Sequence, residues 1–184
     1  MIFSHRADAA QLAAMVQRVR AQAPALPLST SEPFHIYEAP GAQPLLGSLD
    51  FLMANVHPVF QPWFREAPEK AAAQFVVNVV GQLAERYCGP VLVKETGEPT
   101  APAAEGYSPA RQAAFYGELR HLLPPAPQHA FAYFAAFDAP WRAQDATGVP
   151  GPHPSEAYWG MFDEKRRPKP VMDQLPALAQ DQHR

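Results

Sequence analysis

The segment Val91-Leu92-Val93-Lys94-Glu95-Thr96-Gly97-Glu98-Pro99 is a short apolar run that ends in a carboxylate and breaks at once into turn residues. Such a run reads as a buried strand, and the C-terminal ends of parallel strands are where α/β barrels gather their catalytic groups. Glu95 is therefore the first candidate for a catalytic residue. Its structural alternative is a strand-end carboxylate paired with Lys94 or an arginine.

Other polar and aromatic groups recur at the exits of apolar runs. Glu32, Asn55 and His57 stand at successive exits, where they either satisfy one another across the sheet or offer the convergent donors and acceptors a sugar demands. Phe34, Phe60, Trp63, Phe137, Trp141, Tyr158 and Trp159 supply flat apolar faces suited to pyranose rings or to a subunit interface. Asp138 and Arg142 are expected to pair and fix the loop that carries Trp141. His35, His57, Glu32 and Glu38 lack the spacing of a metal motif, so neither a metal nor another cofactor is expected. No Gly-x-Ser-x-Gly elbow or phosphate-binding glycine loop occurs, and Cys88, before a Gly-Pro turn, reads as a packed, inert thiol.

Positioning these groups requires alternating strands and helices. Leu12, Met15, Val16 and Val19 predict a helix over Ala9–Ala23 capped by Asp8, followed by a strand over Leu26–Thr30 and a binding loop from Ser31 to Tyr37. A short helix is expected between Pro44 and Leu49, then a strand over Phe51–Val56. The stripe Ala72, Phe75, Val76, Val79, Val80 and Leu83 predicts the clearest helix, Pro68–Arg86. After the Val91–Glu95 strand, Ser108-Pro109 caps a helix reaching Leu123, a strand covers Ala130–Phe137, and a terminal helix lies near Val171–Leu178. Residues 99–107 and 143–155 form long loops.

At 184 residues and 47% hydrophobic, the chain can bury one substantial core, so a single domain over 1–184 is expected. A net charge of −3, with no basic block longer than Lys165-Arg166-Arg167, argues against nucleic acid as partner. The single cysteine excludes an intrachain disulfide and leaves the redox compartment open. With no export signal and no run long enough to span a bilayer, the default expectation is a soluble, cytoplasmic chain. The 22 prolines fall between periodic segments and so punctuate loops.

Taken together in order, Thr30-Ser31-Glu32-Pro33-Phe34, Asn55-Val56-His57-Pro58, Val93 to Thr100, Phe134 to Arg142 and Tyr158-Trp159-Gly160-Met161-Phe162-Asp163 resemble the C-terminal half of family 17 glycoside hydrolases, the β-1,3-glucanases, most closely their bacterial branch. The resemblance implies half of an eight-fold β/α barrel, a retaining mechanism with Glu95 as nucleophile, and a β-glucan or oligosaccharide held by Glu32, Phe34, Asn55, His57, Phe60, Glu98, Phe137, Asp138, Trp141, Arg142, Tyr158 and Trp159. Two departures matter. The family's acid/base precedes an arginine that resembles Arg6, yet Ile2 stands near its expected place, and Glu98 replaces the tryptophan of the family's Glu-x-Gly-Trp-Pro motif.

The expected fold is thus a (β/α)4 half-barrel whose open sheet edges a homodimer would cover. Three functional readings stand open: a weak glucan hydrolase whose acid is an unidentified group, a non-catalytic glucan-binding or scaffold protein, and a fragment of a longer glucanase.

Overall fold

The computed structural model describes residues 2–144 and 152–176. Four strands, β1 (Ser31–Pro33), β2 (Leu52–Asn55), β3 (Val91–Thr96) and β4 (His129–Tyr133), form one sheet in the order β1-β2-β3-β4, and every neighbouring pair is parallel. The helices are α1 (Ala9–Gln22), α2 (Phe34–Glu38), α3 (Gln43–Leu46), α4 (Glu69–Tyr87) and α5 (Pro109–Leu122). This is the expected α/β alternation, with strand order following chain order.

Local chemistry sets the long helices. Asp8 and Gln11 close a reciprocal capping box on α1, and the Ser108 hydroxyl accepts from the Arg111 amide at 3.1 Å to start α5 behind Pro109. The α4 stripe buries Ala72, Ala73, Val76, Val79, Val80 and Leu83, and α4 packs on α5 and against β3. Leu52, Ala54 and Val56 of the β2 segment, with Val91 and Val93 of β3, join this core, whereas their alternates Met53, Asn55 and Leu92 are only half-buried. One sheet face is thus covered by helices.

Several boundaries differ from the sequence reading. The first strand begins at Ser31, not Leu26, because Pro24 and Pro27 cannot donate to a ladder and the Leu28 amide bonds the Asp50 carboxylate at 2.7 Å. Pro33 is tolerated because β1 lies at the sheet edge. The expected binding loop after it winds into α2 instead. At the other edge β4 stops at Tyr133, and residues 134–138 leave the sheet to run beside 159–162 through bonds such as Ala135 N to Trp159 O at 3.0 Å and Phe162 N to Ala136 O at 2.9 Å. The terminal helix is a single 3-10 turn, Pro170–Gln174; residues 177 and 178 of the expected span, and residues 145–151 of the second long loop, lie outside the described residues. Cys88 is exposed rather than packed, because it takes the left-handed cap of α4 at φ 58°.

Candidate active site

Glu95 reaches the open face of the sheet through a fault in the strand. Ala54 pairs with Val93 but Asn55 pairs with Glu95, so Lys94 is one residue too many for the ladder. In a regular strand Glu95 would follow Val91 and Val93 towards the helices. The extra residue reverses the alternation, placing Glu95 in register with Asn55 and sending Thr96 into the buried face. The strand end is held by Val56 N bonding Glu95 O at 2.8 Å and Phe134 N bonding Thr96 O at 2.7 Å.

On that face Glu95 lines a cleft of about 680 Å³. His57 Nε2 lies 3.7 Å from Glu95 Oε2, and the Lys94 ammonium contacts Oε1. The His57 imidazole, and after it the Lys94 ammonium, outweigh desolvation and hold the Glu95 carboxyl down to about 2. Glu95 is therefore ionised throughout the neutral range, as a nucleophile must be.

The wall beside the carboxylate is aromatic. The Trp159 ring lies 5.1 Å from His57, 5.5 Å from Phe134 and 6.3 Å from Phe60, and the Arg142 guanidinium sits 5.1 Å over Phe134. Phe34 continues the cleft towards Phe3 and His35. Such faces suit the apolar side of a pyranose.

Of the residues singled out from sequence, Glu32, Phe34, Asn55, His57, Phe60, Glu95, Arg142 and Trp159 line this cleft. Glu32, Asn55 and His57 do not satisfy one another. The buried Glu32 carboxylate accepts from the amides of Ile2 at 3.0 Å and Phe3 at 3.3 Å, Asn55 Oδ1 accepts from the Ser31 hydroxyl at 3.1 Å, and His57 faces Glu95. Phe137, Trp141 and Tyr158 are exposed away from the cleft.

Two pairings correct the sequence reading. Asp138 does not meet Arg142; it takes Lys169 Nζ at 2.7 Å and the Gly160 amide at 2.8 Å, while Arg142 pairs with Glu156 at 2.8 Å. Because 134–138 lie alongside 159–162, Asp138 is turned into that seam. Glu98, expected among the residues that hold the glucan, is fully buried and does not line the cleft. Arg111 Nε lies 3.1 Å from Glu98 Oε1 and 3.1 Å from Glu69 Oε1, yet both Glu98 oxygens lack a well-aligned hydrogen bond among the described residues. Burial pushes the Glu98 carboxyl up to about 7, Arg111 opposing and Glu69 reinforcing the shift.

Sequence reasoning missed Phe3, Phe134 and Glu156, which line the cleft from segments distant in the chain. Among the described residues no group of three or more His, Cys, Asp or Glu is arranged to hold a metal, and no helix is long and apolar enough to cross a membrane.

A strand-end carboxylate facing an aromatic cleft on a parallel sheet is an arrangement that glycoside hydrolase barrels use. The chain belongs to the BtgE/BtgC glycoside hydrolase domain family, which matches residues 1–160. It is 30% identical over 142 residues to a probable beta-glucosidase btgE of Aspergillus terreus, covering 74% of this chain and 23% of that protein. It is 28% identical to the corresponding protein of Emericella nidulans, covering 89% and 29%.

Among solved structures the fold resembles a glycoside hydrolase family 17 beta-1,3-glucanosyltransferase from Rhizomucor miehei, with TM-score 0.71 and 24% identity over 92% of this chain and 59% of that one. An active-site mutant of that enzyme has been solved with laminaritriose, and gives TM-score 0.70 at 22% identity over 92% and 59% of the two chains. An endo-laminarinase from Formosa gives TM-score 0.66 at 20% identity, covering 85% and 49%. The chain thus spans about a quarter of the two fungal relatives and about three fifths of the first of these structures.

Proposed function

We propose that this chain acts on β-1,3-linked glucans by a retaining mechanism in which Glu95 is the nucleophile. The observation that carries the reading is the ionised Glu95 carboxylate, set by the Lys94 bulge on the aromatic cleft beside His57. Glu95 would attack the anomeric carbon, the glycosidic C–O bond would break, and a glycosyl ester on Glu95 would then be hydrolysed or transferred. Retention needs a second carboxyl about 5 Å away to protonate the leaving oxygen and later to activate water.

The cleft's other carboxylates are engaged elsewhere, Glu32 by two backbone amides and Glu156 by Arg142. The acid is an unidentified group, and slow turnover of unactivated glucan follows, since loss of a general acid costs about two to four orders of magnitude. The order of the motifs from Thr30 to Asp163 supports a C-terminal half-barrel closest to the bacterial branch of family 17, with a second copy covering the open strand edges.

A second reading, a glucan-binding protein without catalysis, is favoured by that same engagement of both carboxylates. Laminarin and an activated aryl β-glucoside, which needs no proton on its leaving group, separate the two. Turnover of the aryl glucoside that Glu95→Gln abolishes supports the nucleophile. Laminaritriose binding with no turnover of either substrate favours the binding protein, and neither binding nor turnover sinks both.

A further inference from the structure

Gln112 is a polar side chain with no exposed surface, on the second turn of a helix outside the cleft. Its Nε2 lies 3.0 Å from Glu98 O, 3.2 Å from Gly160 O and 3.4 Å from Trp159 O. Three carbonyls around one atom require the donor end of the amide there, which fixes its orientation. The other end, Oε1, has no hydrogen-bond partner among the described residues, and a buried polar atom left so carries a desolvation cost. A side chain that serves only packing would not carry that cost, because methionine or leucine would fill the space.

The three carbonyls belong to two segments that meet at the site. Glu98 lies on the exit of β3, three residues after Glu95, and Trp159-Gly160 begin the stretch that carries the indole to His57. A third segment, residues 134–138, packs tightly against both. A Cβ on Gly97 would fall 2.1 Å from Phe134 O and 3.4 Å from the Trp159 ring, and one on Gly160 would fall 2.2 Å from Asp138 N. The two segments also bond through Thr100 N to Tyr158 O at 3.0 Å, and Gln112 joins Glu98 to Trp159 and Gly160 from the buried side as Lys169 Nζ joins Thr100 to Tyr158 and Asp138.

We infer that Gln112 is a positioning residue that sets the Trp159 ring against the His57–Glu95 pair, an assignment that rests for its ligand on the glycosidase reading above. It touches no substrate. It acts through Trp159, whose edge-on contact with His57 at 5.1 Å passes the placement on to the imidazole 3.7 Å from Glu95.

The test is ¹⁹F NMR of protein labelled with 5-fluorotryptophan, in which Trp63, Trp141 and Trp159 give separate resonances and Trp159→Phe assigns the third. Gln112→Met keeps the volume and removes the donors. In folded Gln112→Met the Trp159 resonance is expected to shift or split while those of Trp63 and Trp141 stay, and the Kd for laminaritriose is expected to weaken about ten-fold, a factor readily resolved by calorimetry. An unmoved Trp159 resonance overturns the assignment. Should Gln112→Met fail to fold, hydrogen exchange of the wild-type Gln112 side-chain amide decides: protection supports the three-carbonyl clamp, and exchange at the rate of exposed glutamines overturns it. If the wild type does not bind laminaritriose, the glucan reading falls, and the Trp159 resonance still decides the role of Gln112.

Discussion

Glu95 and Glu98 lie three positions apart and are driven in opposite directions. Glu95 meets an imidazole and an ammonium on an open face, whereas Glu98 is fully buried beside one arginine, and its oxygens lack aligned donors among the described residues. Because the Glu98 carboxyl is raised from 4.5 to about 7, the folded chain binds a proton there that the unfolded chain releases. Its contribution to stability is full below pH 4.5 and declines as pH rises to about 7. Urea unfolding at intervals across that window is expected to show stability falling with pH in the wild type and a flatter profile in Glu98→Gln; equal slopes would show that Glu98 titrates normally. For Glu95 the sign reverses. Its contribution is full above pH 4.5 and is lost as pH falls towards about 2, so Glu95→Gln should remove part of the acid-side loss of stability. Sequence marked Glu95 from its place at the end of an apolar run, but could not separate these two environments. The burial of Glu98 depends on Arg111 and Glu69, brought to it by α5 and α4.

The helices were legible because their signals are local. Asp8, Ser108 and Pro109, with the α4 stripe, fix starts and faces within a few residues. Strand limits depend on what a neighbour offers, and so Leu26 lies outside β1 and residues 134–137 outside β4. The bulge at Lys94 is hidden for the same reason, since only the registers with β2 and β4 reveal the extra residue. Two glycines test how closely the elements meet. Gly97→Ala would drive a methyl into Phe134 O and is expected to cost about 1–3 kcal/mol, in the range of overpacking substitutions. Gly81→Ala, on α4 with nothing within 4 Å of the new Cβ, should instead stabilise by about 0.5–1 kcal/mol. Denaturant midpoints of the two variants measured side by side would check both, and a neutral Gly97→Ala would mean that the β3 and β4 exits are not packed as described.

For the whole molecule the decisive feature is a parallel sheet with two outer strands. Parallel sheets are stable when both faces are covered and their edges protected. Here α4 and α5 cover one face, the face bearing Asn55 and Glu95 opens on the cleft, and neither β1 nor β4 has an outer strand partner among the described residues. The edges are unequal. Pro33 and the brevity of β1 blunt one, whereas His129–Tyr133 offers five residues of ladder at the other. A second copy related by a two-fold axis could set β1 of each protomer beside β4 of its partner, closing eight strands and enclosing both clefts. The prediction is that the purified chain sediments at twice its own mass at micromolar concentration. Replacing Ala132 by lysine, which puts a charge on the exposed side of the outer strand that closure would bury, should then shift the equilibrium towards monomer and weaken laminaritriose binding in parallel. A wild-type chain that sediments at single mass across that range while still binding laminaritriose would show that one sheet, with its edges open or covered by its own loops, suffices to hold the ligand, and the closed two-copy barrel would be abandoned.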